Sequence, residues 1–211
     1  MKIKRLNATI KDQASEPARI ALFGGTFDPV HHAHLKVAHC ALEQANLDHL
    51  IFVPASKPPL KARPLSQDTV RLEMLQLALL DETRFEISTY EIEQNKISYT
   101  IDTVDHFRTL YSSAELFWII GEDQFVQLDK WHRIHELVKK VVFLVYPRGN
   151  LRQRTYSPID GLRHLVLNAE EMSISSTKVR DYCKKGLPLT GLVPHSVEVF
   201  IQQRNLYKKV N

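Results

Sequence analysis

The sequence predicts an α/β fold, a doubly wound parallel sheet covered by helices on both faces, with a small helical part at the C-terminal end. Three observations predict it. The runs Arg19 to Phe23, His49 to Val53, Glu115 to Ile120 and Val141 to Tyr146 are apolar almost throughout, as strands buried on both faces are. They alternate with longer stretches whose apolar residues recur at helical spacing, the order that builds a parallel sheet with crossover helices. The 211 residues, 44% of them hydrophobic, supply one well-packed core and not two large domains.

Taken in order, residues 1–18 are a polar N-terminal extension broken at Ser15, Glu16 and Pro17, and residues 19–211 are a single domain. Arg19 to Phe23 is the first strand. His34 to Asn46 is a helix, because Leu35, Ala38, Leu42 and Ala45 share a face. His49 to Val53 is the second strand, stopped by Pro54. Lys57 to Leu65 sets Pro58, Pro59 and Pro64 among Lys57, Lys61 and Arg63, which makes a basic loop. Ser66 or Asp68 caps a helix to Leu80 with Val70, Met74 and Leu77 together, and Phe85 to Ile87 is a short strand. Thr100 to Tyr111 is a helix. Glu115 to Ile120 is a buried strand ended by Gly121, and a Trp131 to Lys139 helix leads to its counterpart, Val141 to Tyr146. A polar loop opens at Pro147, Arg148, Gly149 and Asn150. His164 to Leu167 is a late strand, Ser175 to Lys184 a helix, and Pro194 starts a last helix to Arg204. Ligands in such sheets sit beyond the carboxyl ends of strands, so the loops after Phe23, Val53, Ile120 and Leu167 are the expected places for chemistry.

Composition removes several classes. Charged residues at 25% and aromatics at 9% are ordinary for a folded protein. Apolar runs fall far short of the roughly 18–20 residues of a membrane helix. Lys2, Lys4 and Arg5 are followed by a polar stretch, so no secretory signal is expected and the expected compartment is the cytoplasm. Cys40 and Cys183 are too few and too distant for a redox or zinc motif and read as reduced thiols. The formal charge of +4 and a pI near 9.0 leave nucleotide, nucleic acid and neither all open as partners.

The most informative stretch follows the first strand: Gly24-Gly25-Thr26-Phe27-Asp28-Pro29-Val30-His31-His32-Ala33-His34. Adjacent glycines admit a ligand close to the backbone, and the helix that follows offers free amides and a positive dipole end to an anion. It is neither a Gly-x-Gly-x-x-Gly fingerprint nor a P-loop, which disfavours NAD-dependent dehydrogenases and P-loop kinases. His31 and His34, three apart, can present their rings together and stabilise charge on a phosphoryl group. For a lone His-x-x-His, a cap with solvated neighbours is the commoner outcome. A zinc site is disfavoured without a nearby Cys or an intervening Glu. Further on, Ser175, Ser176 and Thr177 are good N-cap residues with Arg180 one turn later, which is either a second anion site or an ordinary cap beside a surface arginine. Asp123, just past Gly121-Glu122, reads as a ribose acceptor or a helix cap, and Trp131 as a stacking platform or core.

The first stretch resembles the Gly-Gly-x-Phe-Asp-Pro-x-His-x-Gly-His signature of nucleotidyltransferases, and Ile174-Ser175-Ser176-Thr177-Lys178-Val179-Arg180 resembles their Ile-Ser-Ser-Thr-x-x-Arg signature. Ala33 stands where that family has Gly. Ser98-Tyr99-Thr100, Gly121-Glu122-Asp123, Trp131 and the basic loop Pro58-Pro59-Leu60-Lys61 resemble the bacterial nicotinate-nucleotide adenylyltransferases, with Leu60 in place of the usual His.

The resemblance, from Arg19 to Tyr207, implies a Rossmann-like fold and adenylyl transfer from ATP to nicotinate mononucleotide, with Mg²⁺ carried by ATP and no metal site on the protein. It implies His31 and His34 as catalytic and Gly24, Gly25, Thr26, Phe27, Asp123, Ser175, Ser176, Thr177 and Arg180 as ATP-binding. Lys61, Tyr99, Thr100, Trp131 and His132 would bind the acceptor. No stable nucleic-acid or membrane partner is expected, and the oligomeric state is not legible. Two rivals stay open: a sister transferase with another acceptor such as phosphopantetheine, and a non-catalytic nucleotide- or RNA-binding protein on the same fold, to which Lys178, Lys184, Lys185, Lys208 and Lys209 would lend charge.

Overall fold

The computed structural model describes residues 17–59, 64–147, 159–170 and 172–208. Strands β1 (Arg19–Gly25), β2 (His49–Pro54), β3 (Phe85–Ile87), β4 (Glu115–Gly121), β5 (Val142–Tyr146) and β6 (His164–Val166) form one sheet in the order β3-β2-β1-β4-β5-β6. Every neighbouring pair is parallel. The order reverses between β1 and β4, and at such a switch point the two connections leave in opposite directions and open a crevice beyond the strand ends.

Alternation along the strands divides the core into two layers. Ala21 and Phe23 face helices α1 (His32–Gln44), α2 (Asp68–Ala78), α7 (Ser176–Lys185) and α8 (His195–Gln203). Ile20 and Leu22 face α4 (Thr100–Leu110), α5 (Glu122–Phe125) and α6 (Ile134–Leu137) on the other side. The short α3 (Tyr90–Gln94) and a single 3-10 turn (Leu128–Lys130) are the other helical pieces among the described residues. The C-terminal helices thus join the first layer rather than form a core of their own, and Leu192 accepts a hydrogen bond from the His32 amide (3.0 Å), fastening the start of α1.

Most expected elements are present within two residues of their expected ends, and the exceptions have local causes. β1 runs through both glycines, which pair with Val53 and Pro54. The cap of α2 is Gln67 rather than Ser66 or Asp68. The helix expected from Trp131 begins only at Ile134, because Arg133 adopts a left-handed conformation (φ 52°) that helical geometry excludes. A helix of four residues has no stability of its own, so α5 and α6 are held by burial of Phe125, Ile134 and Leu137, each side chain contributing about 1.5–3 kcal/mol. Such short pieces as α3 and α5 set up no apolar repeat and were not legible. β6 is an exposed edge strand, and its expected last residue, the buried Leu167, lies just past it.

Candidate functional site

Two adjoining cavities lie beyond the carboxyl ends of β1, β4 and β5. The larger, about 470 Å³, is lined by Gly24, Gly25, Thr26, Tyr99, Thr100, Asp123, Trp131 and His132 among others. The smaller, about 230 Å³, is lined by His31, Ala33, His34, Lys36 and Ser175 together with Pro147 and Met172. Tyr146, at the end of β5, lines both.

The histidines are preorganised. His31 is the N-cap of α1 and is buried, and its ring stacks on that of His34 with centroids 3.6 Å apart and planes 18° apart. The His31 amide donates to Nδ1 of His34 at 3.3 Å. A neutral His34 that accepts at Nδ1 carries its proton on Nε2, so Nε2 is the donor it can offer to a ligand. Phe27 packs edge-on against His34, with centroids 5.0 Å apart. The ring of Phe27 is 1% exposed and belongs to the core, so its contribution is to hold His34.

The second motif meets the first directly. Ser175 caps α7, accepting from the Lys178 amide at 3.2 Å. Ser176 Oγ donates to the Pro29 carbonyl at 2.9 Å. Arg180 donates from Nη1 to the Asp28 carbonyl at 2.7 Å and from Nη2 to Thr177 Oγ1 at 3.2 Å. The N-terminal ends of α1 and α7, both favourable to anions, therefore converge on one side of the sheet.

The glycines are required by packing as much as by any ligand. A Cβ on Gly24 would lie 2.5 Å from the Trp118 ring, and one on Gly25 would lie 2.8 Å from the Phe27 ring. At Gly121 it would collide with the Asp123 carboxylate and approach Tyr146. Asp123 is the second residue of α5, whose N-cap is Gly121, so Asp123 is not the cap and its side chain lines the larger cavity. Trp131, expected as a stacking platform or as core, lines that cavity and also packs against the second core layer. His132 sits in a turn with its ring 4.4 Å from that of Tyr99, and it does not begin a helix. The helix expected from Thr100 starts there as α4, and Tyr99 is its N-cap. Lys61 and Leu60 lie outside the described residues.

Several residues lining or backing the cavities escaped the sequence reading. Arg71 is fully buried and donates to the carbonyls of Thr26 (2.5 Å) and Ala55 (2.7 Å) and to Asp68 Oδ1 (2.6 Å). Glu91 lines the larger cavity, buried; burial raises its carboxyl above the ordinary range against hydrogen bonds from Thr103 and Ser98 and the charge of Arg71. Tyr146 could have been found, since it ends a buried strand beside the switch point. A charged residue inside a helical repeat, such as Arg71, reads as solvent-facing and gives no such signal. Among the described residues no group of three or more His, Cys, Asp or Glu gathers as a metal site would need, and no helix is long and apolar enough to cross a membrane.

Comparison with known proteins agrees with this geometry. Residues 22–182 match the cytidylyltransferase-like family model. The chain is 41% identical to a "probable nicotinate-nucleotide adenylyltransferase" of Methylacidiphilum infernorum, over 90% of this chain and 92% of that one. It is 40% identical to a protein of the same name from Opitutus terrae, over 90% and 98%. Its fold is similar to that of Plasmodium falciparum nicotinic acid mononucleotide adenylyltransferase complexed with NaAD, with a TM-score of 0.73 at 17% identity over 90% of this chain and 97% of that one.

Proposed function

The chain belongs to the nicotinate-nucleotide adenylyltransferase family of cytidylyltransferase-like proteins, and on that premise we propose that it transfers AMP from ATP to nicotinate mononucleotide, releasing pyrophosphate and forming nicotinate adenine dinucleotide for NAD synthesis. The observation that carries this reading is the junction of the two motifs: Ser176 bonded to Pro29 and Arg180 to Asp28, with Ser175 and both histidines on one cavity and the larger cavity adjoining it.

The acceptor phosphate is already an anionic nucleophile. It attacks the α-phosphorus, a new P–O bond forms, the bond to the bridging oxygen of the β-phosphate breaks, and pyrophosphate leaves. Alignment and charge stabilisation are then the protein's whole task, and no covalent enzyme intermediate is needed. His31 and His34 would act on the α-phosphate, His34 through Nε2–H. Ser175, Ser176, Thr177 and Arg180 would hold the β- and γ-phosphates. Tyr99, Thr100, Trp131 and His132 would receive the pyridine ring, with Lys61 on the basic loop. Gly24, Gly25, Thr26 and Asp123, expected with ATP, line the larger cavity beside these residues, and we assign them to the acceptor nucleotide at the boundary with ATP. Phe27 supports His34. The donors on the triphosphate side are the Ser175 and Thr177 hydroxyls, which accept within the protein and keep their protons, the backbone amides at the start of α7 and a guanidinium; Ser176 spends its hydroxyl proton on Pro29. These donors fit phosphate oxygens, so a Mg²⁺ would ride on ATP and neutralise part of its charge.

We assign residues 19–211 to one transferase domain and the protein to the cytoplasm, where this synthesis would draw on ATP. The test is a panel: purified protein, ATP, Mg²⁺ and either nicotinate mononucleotide, nicotinamide mononucleotide or phosphopantetheine, with pyrophosphate release recorded. Release with nicotinate mononucleotide is expected. Release only with phosphopantetheine, or none at all, would overturn the assignment.

A further inference from the structure

The C-terminal end of the described chain reaches back to the first motif. Tyr207 donates its hydroxyl to Asp28 Oδ1 at 2.6 Å and accepts from Ser66 Oγ at 3.0 Å. Asp28 Oδ2 accepts from the amides of Leu65 (2.7 Å) and Ser66 (3.2 Å). The same residue's carbonyl is the acceptor for Arg180 Nη1. Asp28 is 2% exposed, so its carboxylate is fixed on one side by Tyr207 and the segment before α2, and its peptide on the other by Arg180. Burial would raise the Asp28 carboxyl, but the bonds from Tyr207, Ser66 and the two amides outweigh it and hold it below the ordinary range. Burial first, then the neighbouring carboxylate, drives the Tyr207 phenol far above its usual range, with the charge of Arg180 opposing. A neutral phenol donating to an ionised carboxylate is a short, directional bond.

We propose that Tyr207 is a positioning residue for the transfer: its hydroxyl fixes the Asp28 peptide on which Arg180 docks, and so sets the guanidinium for the triphosphate. This rests on the reading that Arg180 holds the triphosphate. Tyr207→Phe keeps the ring and removes only the bond. It is expected to raise the KM for ATP about tenfold, as loss of one charge-assisted bond would, while kcat and the KM for nicotinate mononucleotide stay near those of the wild type; the melting temperature falls modestly, because the buried Asp28 carboxylate loses one of its donors.

The kinetics are measured on wild type, Tyr207→Phe, Arg180→Ala and the double variant, with Mg-ATP binding followed in parallel by calorimetry. Because the effect runs through Arg180, Tyr207→Phe is expected to add nothing to Arg180→Ala. An unchanged KM for ATP in Tyr207→Phe, an equal rise for both substrates with a lowered melting temperature, or full additivity with Arg180→Ala would overturn the inference. If Arg180→Ala itself bound Mg-ATP normally, the triphosphate reading would fail instead.

Discussion

Ser176 Oγ donates to the carbonyl of Pro29 at 2.9 Å across 147 positions of sequence. That bond joins the start of α7 to the loop that feeds α1, so two helix N-termini are held in a fixed relation before any ligand arrives. Preorganisation of this kind matters because donors already aimed at a developing charge need no rearrangement during the reaction. Ser176→Ala removes the bond without adding bulk and is expected to raise the KM for ATP severalfold with little loss of stability. A melting temperature that fell while the KM stayed constant would show a purely structural bond.

The stacked histidines carry the next expectation. Removing one preorganised donor to a reacting phosphate costs about a hundredfold or more in turnover. His34→Ala is expected to lose that much while folding normally, and His31→Ala to be similarly impaired. His39 pairs with Glu82 at 2.9 Å and packs on Phe85, on the flank of α1 away from the cavities, so His39→Ala is expected to be nearly silent. Equal losses from all three substitutions would assign the histidines to structure.

Asp28 gives a pH dependence of defined sign. Its folded carboxyl titrates below the unfolded value of about 3.9, so its stabilisation is fully present above that value and is lost as pH falls through the lower folded one. Asp28→Asn is therefore expected to be less stable than wild type by about 1–3 kcal/mol at pH 7, with the difference shrinking below pH 4. Urea midpoints at several pH values measure it, and a gap independent of pH would contradict the assignment.

Arg71 presents a larger stake in stability. Arg71→Met keeps most of the apolar stem but leaves the carbonyls of Thr26 and Ala55 without the guanidinium, and Asp68 with Ser56 as its remaining donor. Each buried carbonyl left without a donor costs about 1–3 kcal/mol, while the Asp68 pair, its carboxylate more than a third exposed, adds little. Thr26 and Ala55 both line the larger cavity, so the KM for the acceptor is expected to rise in the fraction that folds. Arg71→Lys, a point charge that cannot span both carbonyls, is expected to fall between. Denaturant unfolding of the three proteins tests the order.

These residues also mark what the sequence could and could not reveal. β1, β2, β4 and β5 were legible because strands buried on both faces are apolar throughout, and the two motifs because their residue types and order are specific. The roles of Arg71 and Tyr207 were not legible, since Tyr207 meets Asp28 across 179 positions and Arg71 meets Thr26 across 45. Gly24 was read as room for a ligand, yet the nearest obstacle to a side chain there is Trp118 on the neighbouring strand. The helix after Trp131 failed on one backbone angle at Arg133, which no apolar periodicity records.

That failure bears on acceptor choice. Without a helix end at His132, recognition of the pyridine substituent would on the proposed function fall to the N-terminus of α4, eleven residues long, whose cap Tyr99 and first residue Thr100 line the larger cavity. The Asp102 amide bonds the Tyr99 carbonyl, so the amides of Thr100 and Ile101 with the dipole would favour a carboxylate there, against the charge of Asp102 in the same turn. A neutral amide gains less, and its NH₂ group would face donors rather than acceptors, leaving groups unpaired at about 1–3 kcal/mol each. We therefore expect kcat/KM for nicotinate mononucleotide to exceed that for nicotinamide mononucleotide by tenfold or more. Trp131 lines the larger cavity and stands apart from the residues around the histidines, so Trp131→Ala should weaken both acceptors while leaving ATP affinity largely intact. Parallel kinetics with the two mononucleotides decide the matter: equal use of both would refute recognition by the α4 amides while leaving adenylyl transfer itself untouched.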